Sequence, residues 1–388
     1  MQTRREHIQS PLTWNSGSAI FLTRIFRNYV HIRSQMKGQS RISSPTFLSL
    51  LGILLCISCA EKPTYAREDT LRNLFSEAEI TIAIVDSGLG GLSILADAAQ
   101  RLKEWKIFQK VDFVYFNALF ANEGGYNALP SHQEKTAIFD SALESLEHTF
   151  SPDLILIGCN TLSSIYDDTN FARGTKIPVR GIIESGVELA YDALKTHPGS
   201  KIILFATQTT VAQNTHKDLL MKRGFLPERI VCQACPELSS YIEADYKGEE
   251  TDMLIIAYVD EALKKISDPD APLLVSFNCT HFGYSLDLWK KAFHNLGVEP
   301  IGYLDPNARM NDFLFRTQYR NRHRSADISV RVVSMVSIDK KKVDSLGSLL
   351  HELSPETAEA LEEYEWIPDL FRWRRATRSQ DQEPDIRP

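Results

Sequence analysis

From residue 79 onward the chain alternates between short unbroken apolar runs and longer amphipathic stretches. The runs are ITIAIVDSGLGG (residues 80–91), KVDFVYFNA (110–118), DLILIGCNT (153–161), IPVRGIIES (177–185), KIILFATQT (201–209), PLLVSFNCT (272–280) and EPIGYLDPN (299–307). They are rich in Val, Ile and Leu and lack the in–out alternation of a half-exposed strand. Each therefore predicts a strand buried on both faces. Between them lie segments such as SHQEKTAIFDSALESLEHTF (131–150), whose apolar positions fall three and four apart and predict a helix. Buried strands alternating with helices predict an α/β fold with mainly parallel sheets, whose ligands sit at the carboxyl ends of the strands.

The 388 residues exceed one ordinary core. An internal echo suggests how they divide. One run ends at Asp86 and another at Cys159; later runs end at Thr207 and Cys279 with nearly the same separation. The echo predicts two pseudo-symmetric domains with an active-site cleft between them. The boundaries read from the pattern are residues 79–178 plus 284–330 for the first domain and 179–283 for the second. Beyond about residue 330 the pattern weakens. Residues 331–388 read as a C-terminal add-on helix, VDSLGSLLHEL behind Lys340, Lys341 and Lys342, followed by a polar tail.

Residues 1–78 form an N-terminal extension of different character. Residues 1–35 are basic and aperiodic. Lys37 and Arg41 then precede an apolar stretch at 47–58 that ends in small residues and Cys59. That is signal-peptide length, too short for a membrane span. Residues 36–60 accordingly read as a signal or lipoprotein-like segment with lipid attachment at Cys59, followed by a polar tether. The expectation is an exported protein, periplasmic or membrane-anchored through that lipid alone. Cleavage after Ala60 or Ala66 is the alternative processing, and a cytoplasmic protein the alternative location. The rest of the composition, 43% hydrophobic and 24% charged, is that of a globular protein. A formal charge of −7 favours no nucleic-acid partner, and six cysteines make no disulfide scaffold.

The candidate chemistry lies in two cysteines that stand where a buried run breaks into a loop. Cys159 is followed by Asn160 and Thr161, and Cys279 by Thr280 and His281. Metal binding fits poorly, because the two are far apart in sequence and His281 alone does not complete a zinc set. A cysteine protease needs one Cys with a His, not two equivalent thiols. Two facing thiols suit a different chemistry. One takes a proton from one face of a carbon and the other returns one to the opposite face, with one sulfur as thiolate and the other as thiol. His281 beside Cys279 and Asp86 beside Cys159 are the tuning groups. Asn160, Thr161 and Thr280 are expected to begin the helices after each strand, where backbone N–H groups favour a carboxylate. The bland readings are a buried cysteine as a small hydrophobe and Asp86 as a helix cap. Cys232 and Cys235 form a C-x-x-C for which a structural role is favoured. The GLGG after Asp86 lacks the spacing of a dinucleotide loop. No lysine stands in a Schiff-base context, consistent with the absence of pyridoxal phosphate.

Five segments taken together, IAIVDSGLGGLSIL, LIGCNTLSS, GIIESGVELA, CPELSSYIEAD and NCTHFGY, resemble in order and spacing the glutamate racemases of the aspartate/glutamate racemase superfamily, over about residues 79–310. The resemblance implies a cofactor-independent amino-acid racemase of two pseudo-symmetric α/β domains, with a catalytic Cys from each. It implies a small amino acid or dicarboxylate as substrate, and a homodimer. Carried over by position, Asp86 assists Cys159 and Ser87 binds substrate. Asn160 and Thr161 are substrate-binding neighbours of Cys159, Thr207 and Thr210 are hydroxyls of the second half, and Glu243 is the acidic residue near the second Cys. Cys279, Thr280 and His281 match the family's Cys-Thr-His. One stretch departs from the pattern, YFNALFANEGGYN (115–127). Ala118 replaces an Asp, and Glu123, Gly124 and Gly125 replace a Pro-Tyr-Gly whose backbone holds substrate. Phe282-Gly283 also stands where Tyr-Pro is frequent. These departures keep two alternatives open: another two-Cys isomerase of the hydantoin racemase or maleate isomerase type, and a non-catalytic exported binding protein.

Overall fold

The computed structural model describes residue 71, residues 73–122 and residues 124–373. The signal-like segment at 36–60 with Cys59, most of the tether, Glu123 and the tail from residue 374 lie outside the described residues.

The first sheet grows from β1 (Glu79–Asp86), α1 (Leu92–Trp105), β2 (Lys110–Asn117), α2 (His132–Phe150), β3 (Leu154–Ile157) and β4 (Val179–Gly181). These strands are all parallel and lie in the order β2-β1-β3-β4. After α3 (Ile182–Thr196), the second sheet follows from β5 (Lys201–Ala206), β6 (Ile230–Ala234), α4 (Leu238–Ala244), α5 (Glu249–Leu263), β7 (Leu273–Asn278), α6 (Leu286–Asn295) and β8 (Gly302–Leu304). Its strands are also parallel, in the order β6-β5-β7-β8. The two orders are the same topology written twice, which is the physical content of the echo in the sequence. The chain then returns to the first sheet: β9 (Asp327–Ser334) pairs along all of β2, from Lys110↔Asp327 to Asn117↔Ser334. Two helices follow, α7 (Lys340–Leu353) and α8 (Pro355–Glu362), and β10 (Glu365–Trp366) closes the edge beside β9.

Unbroken apolar runs became central strands because both of their faces are covered. Along β1, Ile82 and Ile84 enter one apolar cluster while Ala83 and Val85 enter another, so successive residues feed opposite layers. β5 and β7 are buried at every position. The α/β class, the parallel sheets and the two-lobed plan agree with the sequence reading.

The sheets divide the chain at other places than the boundaries drawn from the sequence. β4, placed with the second domain, belongs to the first sheet, and β8, placed with the first, pairs with β7. Both are three-residue strands and carry little pattern of their own. The region from 331 is no appendage either. β9 escaped detection because its outer half alternates between half-buried and exposed residues, as an edge-side strand does, instead of presenting a buried run. α7 buries Val343, Leu346, Gly347 and Leu350 and packs on both α1 and α4. Among the described residues no helix is long and apolar enough to cross a membrane.

Candidate active site

Register places the chemistry. Asp86 is the last residue of β1, and the Gly158 N–H donates to Val85 O at 3.0 Å, so Cys159 emerges one step beyond the neighbouring strand. In the second sheet Ala206 pairs with Asn278, so Thr207 and Cys279 leave adjacent strands side by side. All four lie at carboxyl ends, and both thiols border one cavity of about 520 Å³. Its wall includes Asp86, Ser87, Gly124, Gly125, Asn160, Thr161, Thr207, Glu243, Thr280, His281 and Lys342. Thr210, carried over with Thr207 as a hydroxyl of the second half, is not part of that wall. It stands behind Thr207, hydroxyl to hydroxyl at 3.0 Å, and borders a small void beside His216 and Asn278.

Around the first thiol, the Ser87 hydroxyl lies 3.2 Å from Cys159 Sγ. Burial pushes the Cys159 thiol far above its ordinary range, and the Asp86 charge adds to the rise. Asp86 is itself fully enclosed. Its Oδ2 accepts from the Gly91 N–H at 2.7 Å and from the Thr280 hydroxyl at 3.0 Å. Burial raises its pKa to about 6, against the opposing pull of the nearby His281 charge and of those donors. Thr280 thus crosses from the second lobe to an acid of the first. It does not begin a helix; the next element is a single 3₁₀ turn at Phe282–Ser285. Asn160, by contrast, opens a short helix at Asn160–Ser163 as expected.

Around the second thiol the partners carry charge. Cys279 Sγ lies 3.6 Å from His281 Nδ1, and His281 Nε2 lies 2.7 Å from Glu243 Oε1. The same Oε1 accepts from the Leu89 N–H at 2.8 Å, and Glu243 Oε2 accepts from Lys342 Nζ at 2.7 Å. Burial works against charge on both members of the His281–Glu243 pair, but the pairing wins. Glu243 is lowered to about 2 by His281 and Lys342, and His281 is raised well above its ordinary value by Cys279 and Glu243. The pair is therefore an imidazolium and a carboxylate. Glycines let the first lobe come this close: a Cβ on Gly88 would stand 2.7 Å from Glu243 Oε1. Tyr115 and Tyr284 pin that loop by donating to the carbonyls of Gly88 and Gly90, each at 2.8 Å.

The cavity also presents unspent polarity. Both side-chain amide atoms of Asn160 and the hydroxyl of Tyr126 are buried without a hydrogen-bond partner, and both residues border the cavity. A buried polar group left unpaired costs about 1–3 kcal/mol, so these atoms are poised for a polar ligand. The hydroxyls of Thr161 and Thr207 meet across the lobes at 2.8 Å. Gly124 and Gly125 both adopt left-handed conformations, φ 70° and 47°, and offer backbone to the cavity. Ala118 is buried, and Glu123 lies outside the described residues. Among the described residues no cluster of His, Cys, Asp and Glu is arranged to hold a metal, and Cys159, Cys232, Cys235 and Cys279 are unbridged.

Sequence reasoning missed Lys342 and Tyr126. Tyr126 carried a weak signal, standing directly after the rewritten glycines. Lys342 carried none near Glu243, since 99 residues separate them.

The fold and the site define a class: a two-lobed parallel α/β protein with one thiol from each lobe facing a shared polar cavity. No protein-family model matches the chain. By sequence it is 26% identical over 223 residues to the glutamate racemase of Persephonella marina, covering 56% of this chain and 77% of that protein. It is 26% identical over 274 residues to the glutamate racemase of Clostridium perfringens, covering 70% and 96%. By structure it matches a glutamate racemase isoform of Bacillus anthracis with a TM-score of 0.53 at 19% identity, covering 70% of this chain and 93% of that one. The Francisella tularensis glutamate racemase, solved in complex with D-glutamate, matches with a TM-score of 0.52 at 19% identity, covering 74% and 95%. At 26% identity the chain is a distant homologue of these glutamate racemases, and it shares their fold.

Proposed function

We propose that the protein is a cofactor-independent amino-acid racemase acting on glutamate or a close acidic analogue. The observation that carries this reading is the approach of Cys159 and Cys279 to one cavity from opposite lobes, each with its own tuning partner. One sulfur, as thiolate, takes the α-proton and leaves a carbanionic intermediate. The other, as thiol, delivers its proton to the opposite face. The two sulfurs have then exchanged protonation states, and the reverse reaction uses them in the other order. Imidazolium at His281 supports negative charge on the Cys279 side, whereas the buried Cys159 starts as thiol. The unpaired atoms of Asn160 and Tyr126, with the backbone at Gly124 and Gly125, are placed to receive carboxylate and ammonium groups. The test is loss of the α-proton signal of L- and D-glutamate in D2O, followed by NMR. Exchange of both enantiomers supports the reading; silence with glutamate and a panel of other amino acids would refute it.

A second substrate class is favoured by one observation, the rewritten loop. It brings Leu119, Asn122 and Tyr126 to the cavity beside the paired glycines. Turnover of hydantoins or unsaturated diacids, with none of glutamate, would select it. We further propose that the protein is exported and lipidated at Cys59, on the strength of the apolar stretch at 47–58 and its basic flank. Mass spectrometry of the native N-terminus checks this, since an unprocessed Met1 or Met36 contradicts it.

A further inference from the structure

We propose that Lys342, on the C-terminal helix α7, is a positioning residue for the second thiol. It acts through Glu243 and His281 to stabilise negative charge at Cys279. The inference rests on the reading of Cys279 as a proton-transfer thiol and adds to the site a group from outside the two matched sheets.

Charge order is what gives the ammonium its role. From the sulfur outward the groups are Cys279, His281, Glu243 and Lys342, linked by contacts of 3.6, 2.7 and 2.7 Å. With Cys279 as thiolate their signs alternate, negative, positive, negative, positive, and the row is neutral. Without the ammonium the same row carries a net negative charge in a place where His281 and Glu243 side chains are each only 7% exposed. Uncompensated charge in such surroundings is costly, and the site relieves it by keeping the thiol protonated. Lys342 also fixes geometry. It holds Oε2 of Glu243, which leaves Oε1 to receive the Leu89 N–H and face His281.

The helix is built to present this residue. Asp339 caps its start by accepting from the Lys341 N–H at 2.8 Å. Val343 and Leu346 are buried, and the helix packs on α1 of the first lobe and α4 of the second. Lys340 turns outward to Asp344. Lys342 alone of the three-lysine run reaches the cavity, with its side chain 28% exposed.

The test measures thiol reactivity and does not require turnover, so it is independent of whether glutamate is the substrate. The full protein is treated with iodoacetamide at pH 7.5, and the alkylation rates of Cys279 and Cys159 are read separately by peptide mass spectrometry. Only the thiolate reacts, so in Lys342→Gln the rate at Cys279 should fall about tenfold. The rate at Cys159 should stay within a factor of about two, because its tuning group is Asp86. Lys342→Arg should restore Cys279. Lys342→Met, which keeps the aliphatic stem packed, should reproduce the loss and guards against a folding defect in the first variant. An unchanged rate at Cys279 in the Gln and Met variants overturns the proposal. So does an equal fall at both cysteines, the mark of a merely structural role.

Discussion

Asp86, at the end of β1, and Glu243, in α4, border one cavity and are both buried, yet they are driven in opposite directions. Asp86 accepts from neutral donors, the Gly91 amide and the Thr280 hydroxyl, and burial lifts it to about 6. Glu243 receives an imidazole and an ammonium, and it falls to about 2 in spite of burial. Burial alone does not decide the charge of a carboxyl group; the charge of its partners does. One lobe therefore offers an acid that trades its proton near neutrality and the other a fixed anion that keeps a histidine charged. The proposed transfer of protons both ways across a carbon has use for both.

The largest break in that comparison comes from neutralising the fixed anion. Glu243→Gln leaves His281 and Lys342 without their shared partner in a buried place, and stability at pH 7 should fall by about 3–5 kcal/mol. The sign of the pH dependence follows from the shift. The folded pKa of Glu243 lies below its ordinary 4.5, so its contribution is complete above pH 4.5 and is lost as pH falls towards 2. Urea denaturation across that range should show the wild type converging on the variant.

Asp86→Asn should do the opposite. The folded pKa lies above the ordinary 3.8, so between pH 3.8 and about 6 the folded state holds a proton that the unfolded chain has released. Wild-type stability therefore declines as pH rises through that window, and the variant escapes the decline. Above pH 6 the variant should be the more stable by roughly 3 kcal/mol, while losing about 10²-fold or more in turnover. A variant that is no more stable than wild type at pH 8 would contradict the role given to Asp86.

A smaller effect should follow from Gly88→Ala. The new Cβ would meet Glu243 Oε1 at 2.7 Å and displace the carboxylate that Leu89 and His281 share. Overpacking of this kind costs about 1–3 kcal/mol, and thermal denaturation should register it. Because the intrusion falls on the charged side, it should slow iodoacetamide at Cys279 while leaving Cys159 untouched.

Most of this frame was legible in the sequence, for a physical reason. β1, β3, β5 and β7 are covered on both faces, so each left an unbroken apolar run, and the residues ending those runs had to lie at the mouth of the sheet. Asp86, Cys159, Thr207 and Cys279 could be placed on that ground alone. What stayed hidden was whatever lacks a local signature. β9 alternates and resembles no buried strand, although it pairs along the whole of β2. β4 and β8 are too short to announce which sheet they join. Thr280 looked like a helix start and is instead a donor to the opposite lobe. Lys342 meets Glu243 only because the chain returns to the first sheet and lays α7 over both lobes. Tertiary pairing of that kind leaves no periodicity to read.

The central claim is that two thiols, one from each lobe, act on one carbon, one removing its α-proton and the other delivering its own proton to the opposite face. Racemisation of glutamate by Cys159→Ser and by Cys279→Ser, each confirmed folded and followed by circular dichroism of the product, tests it most directly. A fall of about 10³-fold or more is predicted in each single variant, because either loss removes one of the two proton-transfer groups. Retention of the wild-type rate by either variant would show that a second thiol is not needed and would contradict the claim.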